Sequence, residues 1–199
     1  MMKISDLGEF GVIERLSSYI NSRKTDSPDA LGYQLLVGVG DDTAIWKPGS
    51  GIELATTDTM VEGVHFHQHT TSWYNLGWKV MASNASDIAA MGGFPLYAMV
   101  TLGLPPDTDV ANVDELYVGI LDLADKFHIK IVGGDMVRSS SVFITISLTG
   151  TTDVPAMLRA NAQSDDQVAI TGQLGLSSAG LKLIQKSIKP ETGSDHLIT

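Results

Sequence analysis

From Val142 to Leu148 the chain alternates apolar and polar residues. Val142, Ile144, Ile146 and Leu148 fall on one side, the two-residue period of a half-buried strand. Ile52, Leu54 and Thr56 alternate in the same way with Glu53, Ala55 and Thr57, and this strand is expected to run out at Asp58. Helical spacing takes over elsewhere. Phe10, Ile13, Leu16 and Ile20 predict an amphipathic helix over 5–22. Leu76, Val80, Asn84, Asp87 and Met91 share one stripe of a helix over 73–91, which places Asp87 on the side facing the core. Gly92-Gly93 and then Pro95 stop it. Val113, Leu116, Tyr117, Ile120, Leu123, Ala124 and Phe127 predict a third helix. The compact apolar runs Leu35–Val37, Leu96–Leu104 and Ile129–Val132 read as further strands.

Alternating strands and helices over residues 1–150 define one α/β domain. Residues 22–30 read as a polar linker. After Gly150 the pattern offers one strand, Val168 to Gly172, one helix, Ser177 to Ser187, and a loop-like tail from Lys189. One strand and one helix cannot close a core alone. Residues 151–199 therefore read as the start of a second, truncated domain.

Composition narrows the choice of partner. With 43% hydrophobic and 18% charged residues over 199 positions the chain can bury a core. Thirteen basic against twenty-three acidic residues give a net charge of −10, which argues against nucleic acid and against an anionic membrane as partners. A phosphate ligand then needs cations. The absence of cysteine removes disulfides, thiolate metal sites and a cysteine nucleophile. The N-terminus has no apolar run of signal length, and no segment has the roughly 18 apolar residues of a membrane span, so the cytoplasm is the expected location. No G-x-x-x-x-G-K-[ST] loop, no complete G-x-G-x-x-G and no G-x-S-x-G elbow is present.

Three apolar runs end in small residues or hydroxyls followed by acids: Gly40-Asp41-Asp42, Thr56-Thr57-Asp58 and Gly133-Gly134-Asp135. Asp87 adds a fourth acid. A single strand-end Asp is most often a turn or helix cap. Four that converge repel one another unless a hard cation neutralises them, and Mg2+ prefers such oxygen donors with phosphates and waters. Glu62 alone reads as a surface acid. His65, His67 and His69 alternate along what reads as an extended segment, which fits either a transition-metal site or a partly exposed strand edge.

The runs Gly38-Val39-Gly40-Asp41-Asp42, Thr56 to Phe66, Asn84 to Gly93 and Gly133-Gly134-Asp135 together resemble the thiamine-monophosphate kinase family over about residues 36–180. Val61-Glu62-Gly63-Val64-His65-Phe66 is the stretch that separates this family from aminoimidazole ribonucleotide synthetase and its other relatives. The resemblance implies an aminoimidazole ribonucleotide synthetase-like N-terminal domain, a mixed sheet with flanking helices, pairing through that sheet into a barrel in a homodimer. It implies transfer of the γ-phosphoryl group of ATP onto thiamine monophosphate. Asp42, Thr56, Thr57, Asp58, Asp87 and Asp135 are implied magnesium ligands. Gly134, Asp135, Arg159 and, more weakly, Tyr117 are implied contacts to ATP, and His65 to the thiamine phosphate. No general base is expected, because the acceptor is an ionised phosphate oxygen. The chain departs from the family at Ser164-Asp165-Asp166, where relatives carry Pro-Gly-Asp, and in lacking most of the second domain. Weak binding and little or no turnover are expected of it. Two alternatives stay open: another ATP-dependent enzyme of the same superfamily, and a catalytically silent binding module.

Overall fold

The computed structural model of the chain describes residues 2–23 and 30–186. Most of the expected linker and all of the expected tail lie outside these residues. The chain forms two compact units, divided between Met157 and Leu158.

The first unit contains, in order, α1 (Ile4–Ser22), β1 (Gln34–Val37), β2 (Ile45–Lys47), β3 (Ile52–Val61), α2 (Trp73–Ala90), β4 (Phe94–Leu104), α3 (Val110–Lys126), β5 (Lys130–Arg138) and β6 (Phe143–Thr152). Strands β1 and β2 pair as a small antiparallel sheet. The main sheet has the order β3-β6-β4-β5. β6 runs antiparallel to both neighbours, while β4 and β5 are parallel and joined through α3. The sheet is mixed, as expected. It is open, with β3 and β5 as its edges, so no barrel closes within one chain.

Alternation decides which face is buried. Met60, Ile144, Leu102 and Met136 pair in register across the four strands, and all four are buried. They pack with Leu76, Val80, Met81 and Ile88 of α2 and with Val113, Leu116 and Ile120 of α3. Each such side chain contributes about 1.5–3 kcal/mol when fully buried. The two helices cross at glycines. A Cβ added at Gly77 falls 2.0 Å from Leu116 O, and one at Gly119 falls 2.0 Å from Tyr74 O. The next row of the sheet faces the other way: Thr59 bonds Thr145 at 2.8 Å, and Thr57 bonds Ser147 at 3.1 Å. Tyr33, Leu96, Tyr97 and Val132 form a separate small core with Leu35 and Trp46 of the β1–β2 sheet.

Helix α1 differs from its predicted face. Phe10 is 84% exposed and Ile13 is also exposed, whereas Val12 and Leu16 are buried. Gly8, at φ 71° and ψ 168°, interrupts the helix before this stretch. Paired charges hold the helix to α3. Arg15 grips Asp114 through two bonds of 2.7 Å, and Arg23 reaches Asp122 at 2.8 Å and Asp125 at 2.9 Å.

The second unit, among its described residues, has a short helical turn at Arg159–Asn161 and α4 (Leu176–Gln185). The strand expected from Val168 to Gly172 is absent. Val168 is 95% exposed and Ile170 is 59% exposed, and among the described residues no neighbouring strand offers them a ladder.

Candidate metal and phosphate site

β3 carries most of the expected site, and it does not end where the acids suggested. Thr59, Met60 and Val61 continue the alternation, with Met60 buried, so Asp58 lies inside the strand. β5 likewise runs through Gly133-Gly134 to Arg138, which leaves Asp135 inside it. A Cβ at Gly134 falls 2.0 Å from Val100 O, whereas one at Gly133 meets only Met99 Cγ at 3.9 Å. The glycine that looked like a strand stop therefore permits close approach of β4.

Register sets which groups can meet. Thr56 and Asp58 are two residues apart on the side of β3 facing α2, opposite Leu148 and Ile146. Asp87, projecting from α2, accepts a hydrogen bond from Thr56 Oγ1 at 2.8 Å. Asp87 is exposed, so it lies at the margin of the buried stripe expected to contain it. Thr57 points the other way, its hydroxyl bonded to Ile146 O at 3.1 Å and to Ser147. Asp135 pairs with Thr101, which pairs with Thr145, which pairs with Thr59. It thus occupies the row opposite in face to that of Asp58, at the other edge of the sheet. Three strand spacings of ~4.8 Å separate β3 from β5, about 14 Å. Asp42 is exposed between β1 and β2, its N–H donating to Asp41 Oδ1 at 2.8 Å. Within one chain the acids of β3 and β5 do not converge, because β6 and β4 stand between the two strands. Among the described residues no three acids or histidines gather closely enough to hold an ion.

What one chain places on the same side of β3 is Thr56, bonded to Asp87, with Asp58 two residues further along the strand, all hard oxygen donors. This set fits Mg2+, which is commonly held by one or two carboxylates, with waters and substrate phosphates completing its shell.

His65 lies just beyond β3 in a tight return. Gly63, at φ 81°, reverses the chain, and His65 N–H donates to Val61 O at 2.9 Å. The Val61 N–H in turn donates to His65 Nδ1 at 3.1 Å. In the neutral ring Nε2 then carries the proton, on an exposed side chain able to donate to an anion. Glycine at position 63, two residues before the histidine, is the signal in the sequence for this turn. The segment from Gly63 to Thr71 is a series of turns, not extended, so His65, His67 and His69 do not alternate along a strand. The rings of His67 and His69 stack at 5.3 Å, and Glu62 accepts a bond from Gln68 at 3.0 Å.

Tyr117 lies in the core between helices and sheet. Burial pushes its phenol well above the ordinary range. Its ring packs in the core, which leaves its hydroxyl little access to a ligand. Arg159 belongs to the second unit, in the helical turn Arg159–Asn161.

A mixed β3-β6-β4-β5 sheet, two helices on one face and a carboxylate-hydroxyl group on an edge strand define an α/β domain of the AIR synthase type. Residues 40–154 match the family described as AIR synthase related protein, N-terminal domain, and the chain belongs to that family. The thiamine-monophosphate kinase of Bacillus subtilis is 38% identical over 161 residues, covering 79% of this chain and 50% of that protein. A solved structure described as AaThiL complexed with AMPPCP and TMP has a TM-score of 0.70 at 33% identity, covering 100% of this chain and 59% of the other. The thiamine-monophosphate kinase structure from Stenotrophomonas maltophilia has a TM-score of 0.74 at 30% identity, covering 96% and 58%. The chain spans about half the length of the curated relatives it matches. Among the described residues no helix is long and apolar enough to cross a membrane.

Proposed function

We propose that this chain is the N-terminal, metal- and nucleotide-binding part of a thiamine-monophosphate kinase, working in the cytoplasm with ATP and Mg2+. The observation that carries the reading is Thr56 bonded to Asp87, two residues from Asp58 on the same side of β3, in a chain whose relatives bear that name. Thr56, Asp58 and Asp87 would hold Mg2+, which supplies charge neutralisation for phosphate oxygens. The chain's own contribution is positional. Thr56 fixes one oxygen of Asp87 and leaves the other free, and the β3 ladder fixes Asp58. His65, anchored through Nδ1, offers Nε2–H to the phosphate of the acceptor. That acceptor is already ionised, so no proton need be removed from it.

Asp135 and Gly134 enter through a second copy. Since β3 and β5 are opposite open edges, one copy's β5 beside the other's β3 brings the strand that carries Asp135 next to the strand that carries Asp58 and closes the two sheets into a barrel. The hydroxyls of Thr57, Thr59, Thr145 and Ser147 are bonded across strands, which suits them to being covered in this way. Asp42 lies close in sequence to these strands and completes the proposed acidic set, and Arg159, from the second unit, is the proposed cation for the nucleotide's phosphates.

The test is phosphoryl transfer from ATP, in Mg2+, with thiamine monophosphate, an aminoimidazole ribonucleotide precursor and selenide as alternative acceptors. Thiamine diphosphate as product, abolished by Asp58→Asn, supports the reading. Turnover of another acceptor instead replaces it with a different enzyme of the superfamily. Because the chain spans about half of its relatives' length, a binding module without turnover is the second reading. Binding of Mg2+ and nucleotide with no product identifies it.

A further inference from the structure

The turns from Gly63 to Thr71 carry two histidines that the phosphate site leaves unused, His67 and His69. Both are exposed, and their rings stack with centroids 5.3 Å apart and planes 29° from parallel. Their ring nitrogens make no hydrogen bond among the described residues. The backbone beneath them is tied down. Phe66 is buried, Gly63 N–H donates to Phe66 O at 2.8 Å, and His67 O accepts from the N–H and the hydroxyl of Thr70 at 2.9 and 2.8 Å. Gln68, between the two histidines, donates to Glu62 at 3.0 Å and so holds that carboxylate against the same loop.

We propose that His67 and His69 form a chelating site for one divalent transition ion of the class that prefers imidazole nitrogen, such as Zn2+, Ni2+ or Cu2+. The spacing fits. An ion bonded to one nitrogen of each ring at about 2.1 Å, with each ring centre about 1.1 Å beyond, sets the centres about 5.2 Å apart at a tetrahedral angle. Rotation of the rings about Cβ–Cγ turns a nitrogen of each toward the shared ion, and exposure leaves that rotation open. Since the backbone already brings the rings together, binding needs little further ordering. Charge favours a cation over an anion here, because no lysine or arginine occurs from Val61 to Trp78, Glu62 belongs to the same loop, and the chain carries −10 overall. Among the described residues no third acid or histidine gathers with the pair, so water completes the coordination. Mg2+ prefers oxygen donors, and this pair and the Thr56–Asp87 group therefore select different metals. The site stands whether or not the chain is a kinase.

Calorimetric titration of the 199-residue chain with Zn2+, in excess Mg2+ to compete at the acidic groups, tests it. One ion should bind per chain. His67→Ala and His69→Ala should each weaken binding by about tenfold to a hundredfold, the advantage of a second linked ligand, while melting without Zn2+ is unchanged. His128→Ala, which alters an exposed histidine on another element, should leave the affinity as it is. Electron paramagnetic resonance of one equivalent of Cu2+ should count two nitrogen donors in the parent and one in either loop variant. No saturable Zn2+ binding, or binding that neither loop variant weakens, overturns the site. So does a loss confined to one of the two, which marks a single-histidine contact. One ion per two chains also overturns it, since the second ligand then comes from another copy.

Discussion

Replacing Gly134 by alanine probes fold and site together. The added methyl carbon falls 2.0 Å from Val100 O, a full ångström inside the shortest contact that Cβ atoms make. The obstacle is backbone, so no side-chain rotation relieves it, and β5 must move away from β4 by about that ångström. The Val100–Gly134 pairing and its neighbours then lengthen. Two or three weakened ladder bonds at about 1 kcal/mol each give a cost of about 2–3 kcal/mol. For a unit of this size about 2–4 °C is lost per kcal/mol, so Tm falls by about 4–12 °C. Gly133→Ala is the control. Its methyl meets only Met99 Cγ at 3.9 Å, and its Tm stays within about 3 °C of the parent, since a strained conformation is not involved. Circular dichroism melts of both variants decide the matter. Equal melting of the two, or a larger loss in Gly133→Ala, refutes the close-approach explanation of the glycine pair.

Other consequences can be checked separately. Arg15→Ala loses a bidentate grip on Asp114, but the arginine is half-exposed, so the cost is about 0.5–1 kcal/mol and shrinks in high salt; a salt-independent loss in denaturant titration contradicts this. Burial holds the Tyr117 phenol above its unfolded value of about 10, so its contribution is complete below that pH and is lost as pH rises past it. Tyr117→Phe therefore flattens the alkaline decline in stability and leaves nucleotide affinity within about twofold; a large loss of affinity returns Tyr117 to the nucleotide site. Thr56→Val frees the second oxygen of Asp87, and the rise in Tm given by Mg2+ with nucleotide shrinks while dimerisation is unchanged. Thr56→Ser, which keeps the donor, retains most of that rise, and equal responses in the two variants contradict a positioning role.

Periodicity carries the helices and the β6 strand from sequence to structure almost unaltered. α3 and β6 bury their repeating apolar residues, apart from Phe127, which follows the last residue of α3 and is exposed, since 3.6- and two-residue periods translate directly into faces. The differences are local and share a cause. Acids and glycines usually mark turns, so Asp58 and Gly133-Gly134 resemble strand endings in the sequence. In β3 an edge position lets a half-exposed carboxylate sit mid-strand, and in β5 the glycine is demanded by the neighbouring backbone. On α1 the apolar spacing misplaces Phe10 and Ile13, which stay exposed while Val12 and Leu16 are buried. The largest difference concerns the site. The four acids recur as a pattern in the local sequence, but strand order is a long-range property, and with β6 and β4 between β3 and β5 the pattern cannot close within one chain.

Calorimetric titration of the chain with AMPPCP tests the central claim most directly. In Mg2+ the nucleotide analogue should bind saturably, thiamine monophosphate should bind the resulting complex, and both signals should vanish in chelator and in Asp58→Asn, whose dimer persists. Nucleotide binding that survives chelation and Asp58→Asn unchanged, or no binding at millimolar analogue, contradicts a magnesium-dependent thiamine-phosphate site built on β3.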